Sequence, residues 1–236
     1  MEELLHPQSD SVRRFLRRWY GTSGESAEPT FPKFGNIPPE LVEWHEAATS
    51  TGMPVTFHDY PVTPAGLERA TDGMLVFWIE NQQGYYWAVD PESADRQVFD
   101  RTNTSDVWRP TGENLEQFLL HRTVHEALLG TETKFSAVVP TEVLESGALS
   151  WFAPLPFPPV VNESPSTRWF CSSDVLARVA PPPVGYAPPG QESRMLTVAA
   201  APGTDLLKYR TGLESHILAR PRREEGPDEP FEMPPF

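Results

Sequence analysis

The chain has 236 residues, 39% of them hydrophobic and 22% charged, enough length and apolar content for a buried core and too much for wholesale disorder. Nineteen basic residues against 33 acidic ones leave a formal charge of -14, which weighs against nucleic acid or anionic lipid as a ligand and favours a basic protein partner. The single cysteine, Cys171, excludes an internal disulfide and a cysteine-based zinc site. The opening M-E-E-L-L-H-P has neither a basic nor an apolar leader region, and no apolar run reaches about 18 residues. The expectation is a soluble, cytoplasmic protein with no membrane partner.

In chain order, residues 9–20 predict a helix. Ser9 or Asp10 caps it, Val12, Phe15, Leu16, Trp19 and Tyr20 form its apolar stripe, and Gly21 stops it. Arg13, Arg14, Arg17 and Arg18 cover the remaining arc and read as a solvated face paired with the chain's own acids. A Gly/Ser/Pro-rich loop follows over residues 22–35. A second helix opens at Ile37-Pro38-Pro39-Glu40, with Leu41, Trp44, His45 and Ala48 as its buried stripe. Residues 55–75 predict a short strand and a proline-rich connection.

The densest strand signal is residues 74–90, M-L-V-F-W-I-E-N-Q-Q-G-Y-Y-W-A-V-D. Two runs of β-branched and aromatic residues flank a polar turn, so the stretch predicts a β-hairpin with Gly84 supplying the positive φ. Period-2 alternation puts Leu75, Phe77 and Ile79 opposite Val76, Trp78 and Glu80, and Tyr85, Trp87 and Val89 opposite Tyr86, Ala88 and Asp90. Residues 97–99 and 106–109 predict further strands. Thr111 or Gly112 then caps a long helix, 113–129, striped by Leu115, Phe118, Leu119, Val124, Leu128 and Leu129. Most of the 27 prolines lie after position 150, so the second half is expected to be loop-rich. Strands are predicted at 134–139, 168–171 and 195–200 and a short helix at 205–213. The proline-punctuated stretch 151–161 is excluded from mid-sheet, and 219–236 is expected to be disordered.

No P-loop, G-x-G-x-x-G, G-x-S-x-G, C-x-x-C or H-E-x-x-H is present. His121 and His125 stand one helical turn apart and precede Glu126, but Arg122 occupies the place of a zincin's general base. A structural pair is therefore expected, with no metal and no cofactor. Cys171 reads as a small buried hydrophobe. Asp90, Glu92, Asp95, Asp100 and Asp106 gather after the hairpin, either as an ordinary solvated loop or as a patch for a basic partner. Tyr86, Trp78 and Trp108 are the aromatic anchors such a patch would use.

Four segments in order resemble the SUKH superfamily, the Smi/Knr-type proteins that are mostly bacterial immunity proteins against polymorphic toxins. Ile37-Pro38-Pro39-Glu40-Leu41-Val42-Glu43-Trp44-His45 resembles its L-P-x-x-L-x-x-W/F-Y helix opening, through Pro38, Leu41 and Trp44. Glu80-Asn81-Gln82-Gln83-Gly84 with Trp87 resembles its E-N-Q-G-V-x-x-W hairpin, with one extra Gln. Asp95-Arg96-Gln97-Val98-Phe99 stands where relatives carry D-P-P-V-W/Y. Trp108 and Glu113-Asn114-Leu115-Glu116-Gln117-Phe118-Leu119 resemble the W … L-S-E-F-L step into the closing helix.

The resemblance implies an α+β fold, a mixed, mainly antiparallel sheet flanked by helices, over 37–218, with a proline-rich C-terminal extension from about 131. Residues 1–36 would form an N-terminal helix and loop. It also implies a non-enzymatic protein that binds and neutralises a cognate toxin. A SUKH-fold adapter for a host protein is the alternative, and a hydrolase using His121, His125 and Glu126 ranks third.

Overall fold

Asn114 sets where the longest helix begins. Its side chain accepts from the Gln117 N–H at 2.9 Å, and the Gln117 side chain accepts from the Asn114 N–H at 3.1 Å, a reciprocal capping box. The cap is therefore Asn114 rather than Thr111 or Gly112, because residues 109–114 continue as a strand. The structure is a computed structural model and describes residues 1–23, 29, 31, 36–158, 165–187 and 189–219. Most of the 22–35 loop and residues 220–236 of the expected disordered tail lie outside the described residues.

The chain enters through α1 (Glu2–Leu5), α2 (Ser11–Tyr20) and α3 (Pro39–Ser50). It then builds a first sheet in sequence order from β1 (Tyr60–Pro61), β2 (Leu75–Ile79), β3 (Tyr85–Val89), β4 (Gln97–Thr102) and β5 (Arg109–Asn114). The long helix α4 (Leu115–Gly130) leads into β6 (Lys134–Pro140) and a helical turn, α5 (Thr141–Val143). A second sheet follows, with β6, β7 (Ala153–Pro154), β8 (Arg168–Cys171), β9 (Val175–Ala180) and β10 (Ser193–Ala200) ordered β6-β10-β9-β8-β7. A last helix, α6 (Leu207–Leu213), closes the described chain, and Ala219 bridges Val138 at the outer edge of β6.

The α+β class is as expected. Every pairing between these strands is antiparallel, and residues after 131 form a sheet of their own. The strand β9 falls where no element was predicted. Proline-bearing β7 is an edge strand, since proline has no N–H to give a central ladder.

The layers are sheet, helices, sheet, helix. Leu41, Trp44, Trp78, Trp87, Leu115, Phe118 and Leu119 share one core between the first sheet and the helices. Leu120, Val124 and Leu128 share another with Phe15, Trp19, Trp169 and Leu176 against the second sheet. The far face of that sheet is covered by Leu206, Tyr209 and Leu213 together with Leu144 and Leu149. With sheets on two sides, α4 is buried all round from Phe118 to Leu128 rather than along one stripe.

The expected alternation fails in one place. The β2–β3 register shifts between Val76 and Trp78, so Phe77 and Trp78 both face the core, at 1% and 0% exposure. Trp78 meets Trp44 at 5.3 Å and is withdrawn as a partner anchor. The hairpin turn also differs from expectation. The left-handed residue is Gln83 (φ 59), not Gly84, whose Cβ would meet the Glu80 carboxylate at 3.3 Å. That carboxylate accepts the Gln82 and Gly84 N–H groups at 3.1 and 3.0 Å, so Glu80 caps its own turn. Gly84→Val is expected to lower the melting temperature, because two γ-carbons would press on that carboxylate.

Candidate functional site

The polar run of α4 is enclosed, and the His121–His125 pair, expected to be partly exposed, is buried with it. His121, Arg122, Thr123 and Glu126 are at most 1% exposed and His125 is 9% exposed. Thr123 accepts the Trp44 indole N–H at 2.8 Å. Glu126 reaches the loop before β1, where one carboxylate oxygen accepts the Phe57 and His58 N–H groups at 2.6 and 2.7 Å and the other accepts Asp59 N–H at 3.0 Å. Asp59 is 1% exposed and lies 3.5 Å from the Arg122 guanidinium, which stacks over Trp87 at 4.3 Å. Asp59 also accepts the Asn81 N–H at 3.3 Å and contacts the His58 imidazole at 2.9 Å, tying the hairpin turn to the same loop. Burial, and the Asp59 charge to a smaller degree, raise the Glu126 carboxyl against the opposing pull of the three backbone donors.

His58, Asp59 and Glu126 bring ligand atoms within 4.8 Å of one another, the geometry of a candidate cation site. Their present partners argue against that use. Both Glu126 oxygens are committed to backbone N–H groups, and Arg122 already supplies Asp59 with a positive charge. A divalent cation would have to displace a buried guanidinium. The arrangement is a charge-compensated clamp that pins the 57–59 loop to α4. His121 does not join it: its Nδ1 lies 3.1 Å from Glu113, and its ring stacks on Phe157.

The acids after the hairpin divide. Asp95 and Asp106 are exposed and Asp90 is half-buried, its carboxylate accepting the Glu92 N–H at 2.9 Å. Glu92 is exposed and paired with Arg69 and Asn36. Asp100 does not belong to this patch. It is 0% exposed, and its carboxylate accepts two bonds from Arg109, at 2.7 and 3.1 Å. The inward turn follows from register, since Asp100 pairs with inward-facing Trp87.

Tyr86 lies between Ile79 and Arg101 on the opposite face, and all three are half-buried. Trp108 is held beside them, its indole N–H donating to Asp72 at 2.8 Å and its ring under the Arg101 guanidinium at 4.4 Å. The indole bond, then the Met74 N–H, hold the Asp72 carboxyl below its ordinary range. Sequence reasoning missed Asp72, whose partners lie about thirty residues away. Three of the four α2 arginines pair with the chain's own acids as expected: Arg13 with Glu46, Arg14 with Asp10, and Arg18 with Glu3 and Asp174.

Two expected outcomes arise from the buried titratable groups. His45 packs edge-on to Trp44, and burial pushes its pKa from 6.5 down to about 4. With the folded value the lower one, the unfolded chain takes the proton first. The contribution is complete above pH 6.5 and is lost as pH falls toward 4. His125, also lowered by burial, acts in the same direction, while Glu126, raised by burial, acts in the opposite one. Urea midpoints at pH 7 and pH 5 are therefore expected to differ less in His45→Phe than in the parent chain. Cys171 is 2% exposed and burial raises its thiol pKa to about 11. A chromogenic disulfide reagent should titrate it only after unfolding.

No family model matches this chain, and neither a curated protein nor a solved structure matches it. No helix among the described residues is long and apolar enough to cross a membrane.

Proposed function

We propose that this protein is a non-enzymatic immunity-type protein that binds and neutralises a basic protein toxin by occupying its substrate cleft. The carrying observation is the division of its acids. Those able to do chemistry, Asp59, Glu113 and Glu126, are buried and each is bonded within the fold, while Asp95 and Asp106 stand exposed on loops of a rigid sheet. Exposed carboxylates on a body of net charge -14 steer a cationic protein and shield its basic cleft. The half-buried aromatics Tyr86 and Trp108 supply a preorganised surface at the same sheet. The ordered resemblance to the SUKH superfamily supports the same reading, and four of its motif residues, Leu41, Trp44, Trp87 and Phe118, converge in one core.

Co-expression with toxin genes from the neighbourhood of this gene is the test. Rescue of growth together with a stoichiometric complex is expected. If no such toxin is bound or neutralised, the reading fails. Tyr86→Ala with Trp108→Ala should weaken the complex while leaving the melting temperature within a few degrees, since neither residue is fully buried.

A further inference from the structure

The turn that leads into β2 carries the only aspartate of the chain that is followed by glycine, Asp72-Gly73. Main-chain bonds close it, from Gly73 N–H to Ala70 at 2.9 Å and from Ala70 N–H to Met74 at 2.8 Å, with Gly73 at φ 86. Both Asp72 and Gly73 are exposed, and a Cβ placed on Gly73 would meet no atom within 4 Å. We infer that Asp72-Gly73 is a site of spontaneous aspartate isomerisation that the Trp108 indole holds shut in the folded protein.

The chemistry needs only the chain and water. The Gly73 nitrogen lone pair attacks Asp72 Cγ, and the amide proton leaves with the carboxyl hydroxyl as water, closing a five-membered succinimide. Water then adds to one ring carbonyl. Opening at the main-chain carbonyl leaves Gly73 joined to the Asp72 side chain, an isoaspartyl link with the same mass as the original bond. Glycine favours the attack because no Cβ crowds the approach to its nitrogen. The open space at Gly73 admits the water that completes the reaction.

The fold opposes each step. The Gly73 N–H is committed to Ala70, and both Asp72 oxygens are held, Oδ2 by the Trp108 indole N–H at 2.8 Å and Oδ1 by the Met74 N–H at 3.0 Å. Turning Cγ toward the Gly73 nitrogen breaks these bonds. The attack also requires a neutral carboxyl, since an ionised one has no hydroxyl to lose. The indole bond first, then the Met74 N–H and the Arg101 charge 3.9 Å away, hold this carboxyl below its ordinary range, so less of it is neutral than in the unfolded chain. Trp108 is 36 residues from Asp72, so the protection exists only in the folded chain. Isomerisation lengthens the main chain by one methylene and moves the carboxylate onto Cα, which releases Trp108 and Arg101 from it.

The test incubates the full chain at neutral pH, folded and in denaturing guanidinium chloride, and counts isoaspartate at position 72 by mass spectrometry of proteolytic peptides. The denatured chain is expected to isomerise about tenfold faster than the folded one. Trp108→Phe keeps an aromatic ring but removes the N–H donor. It should raise the folded rate several-fold and leave the denatured rate unchanged. Arg101→Gln should raise the folded rate less, and it decides the matter if Trp108→Phe does not fold. Asp72→Glu, whose ring would have six members, should abolish the signal. Equal rates in the folded and denatured parent, or no isoaspartate in either, overturn the inference. So do folded Trp108→Phe and Arg101→Gln chains that isomerise no faster than the parent.

Discussion

Replacing Glu126 with alanine is expected to lower the folding free energy by about 3–5 kcal/mol, the range for breaking a buried ionic network. The substitution leaves three backbone donors, on Phe57, His58 and buried Asp59, without their acceptor. It also removes the link between α4 and the loop that carries Asp59 to Arg122. Arg122→Leu is expected to cost a similar amount, because it strands the Asp59 carboxylate and removes the guanidinium from the faces of Trp87 and Phe118. The double variant should cost less than the sum of the two, since both break one network. Urea denaturation followed by tryptophan fluorescence measures all three. A midpoint unchanged in Glu126→Ala would show that the clamp contributes nothing and would reopen His58, Asp59 and Glu126 as a ligand site.

The second large effect concerns association. Reversing Asp95 and Asp106 to lysine moves the formal charge from -14 to about -10 at exposed positions, with the fold left intact. Capture of the proposed basic partner should slow by about tenfold at low salt, with the difference shrinking as salt rises, because rim charges act chiefly on the encounter rate. Asp100→Asn is the internal contrast. Asp100 is buried against Arg109, so its loss should appear in the denaturation midpoint and not in the salt dependence of association. An on-rate indifferent to the Asp95 and Asp106 reversals removes the hairpin patch from the interface.

What local pattern could reach, it reached. The α2 and α3 stripes, the hairpin at 74–90 and the strands at 134–139, 168–171 and 195–200 are set by periodicity and by Gly, Pro and capping residues a few positions apart. The four arginines of α2 were legible as a solvated face because their partners could be any nearby acid. The candidate site was only partly legible. Asp95 and Asp106 are exposed because their loops run over the surface, but Asp100 turns inward through its pairing with Trp87. The Phe77–Trp78 bulge likewise defeats a strict two-residue alternation.

The sequence by itself determined that this is an acidic α+β chain with an aromatic hairpin, a long helix after it and a single inert thiol. Only the tertiary structure decided the fate of His121, Arg122, Thr123, His125 and Glu126. Polar residues at most positions of a helical turn normally reach water. Here the first sheet with its 57–59 loop packs on one side of the helix and the second sheet, built from residues 134–200, on the other. Burial is affordable only because each polar group meets a partner distant in sequence: Asp59 for Arg122, backbone N–H groups 67 to 69 residues away for Glu126, the Trp44 indole for Thr123 and Glu113 for His121. Such pairings depend on how two sheets meet across one helix, and no pattern confined to that helix records them.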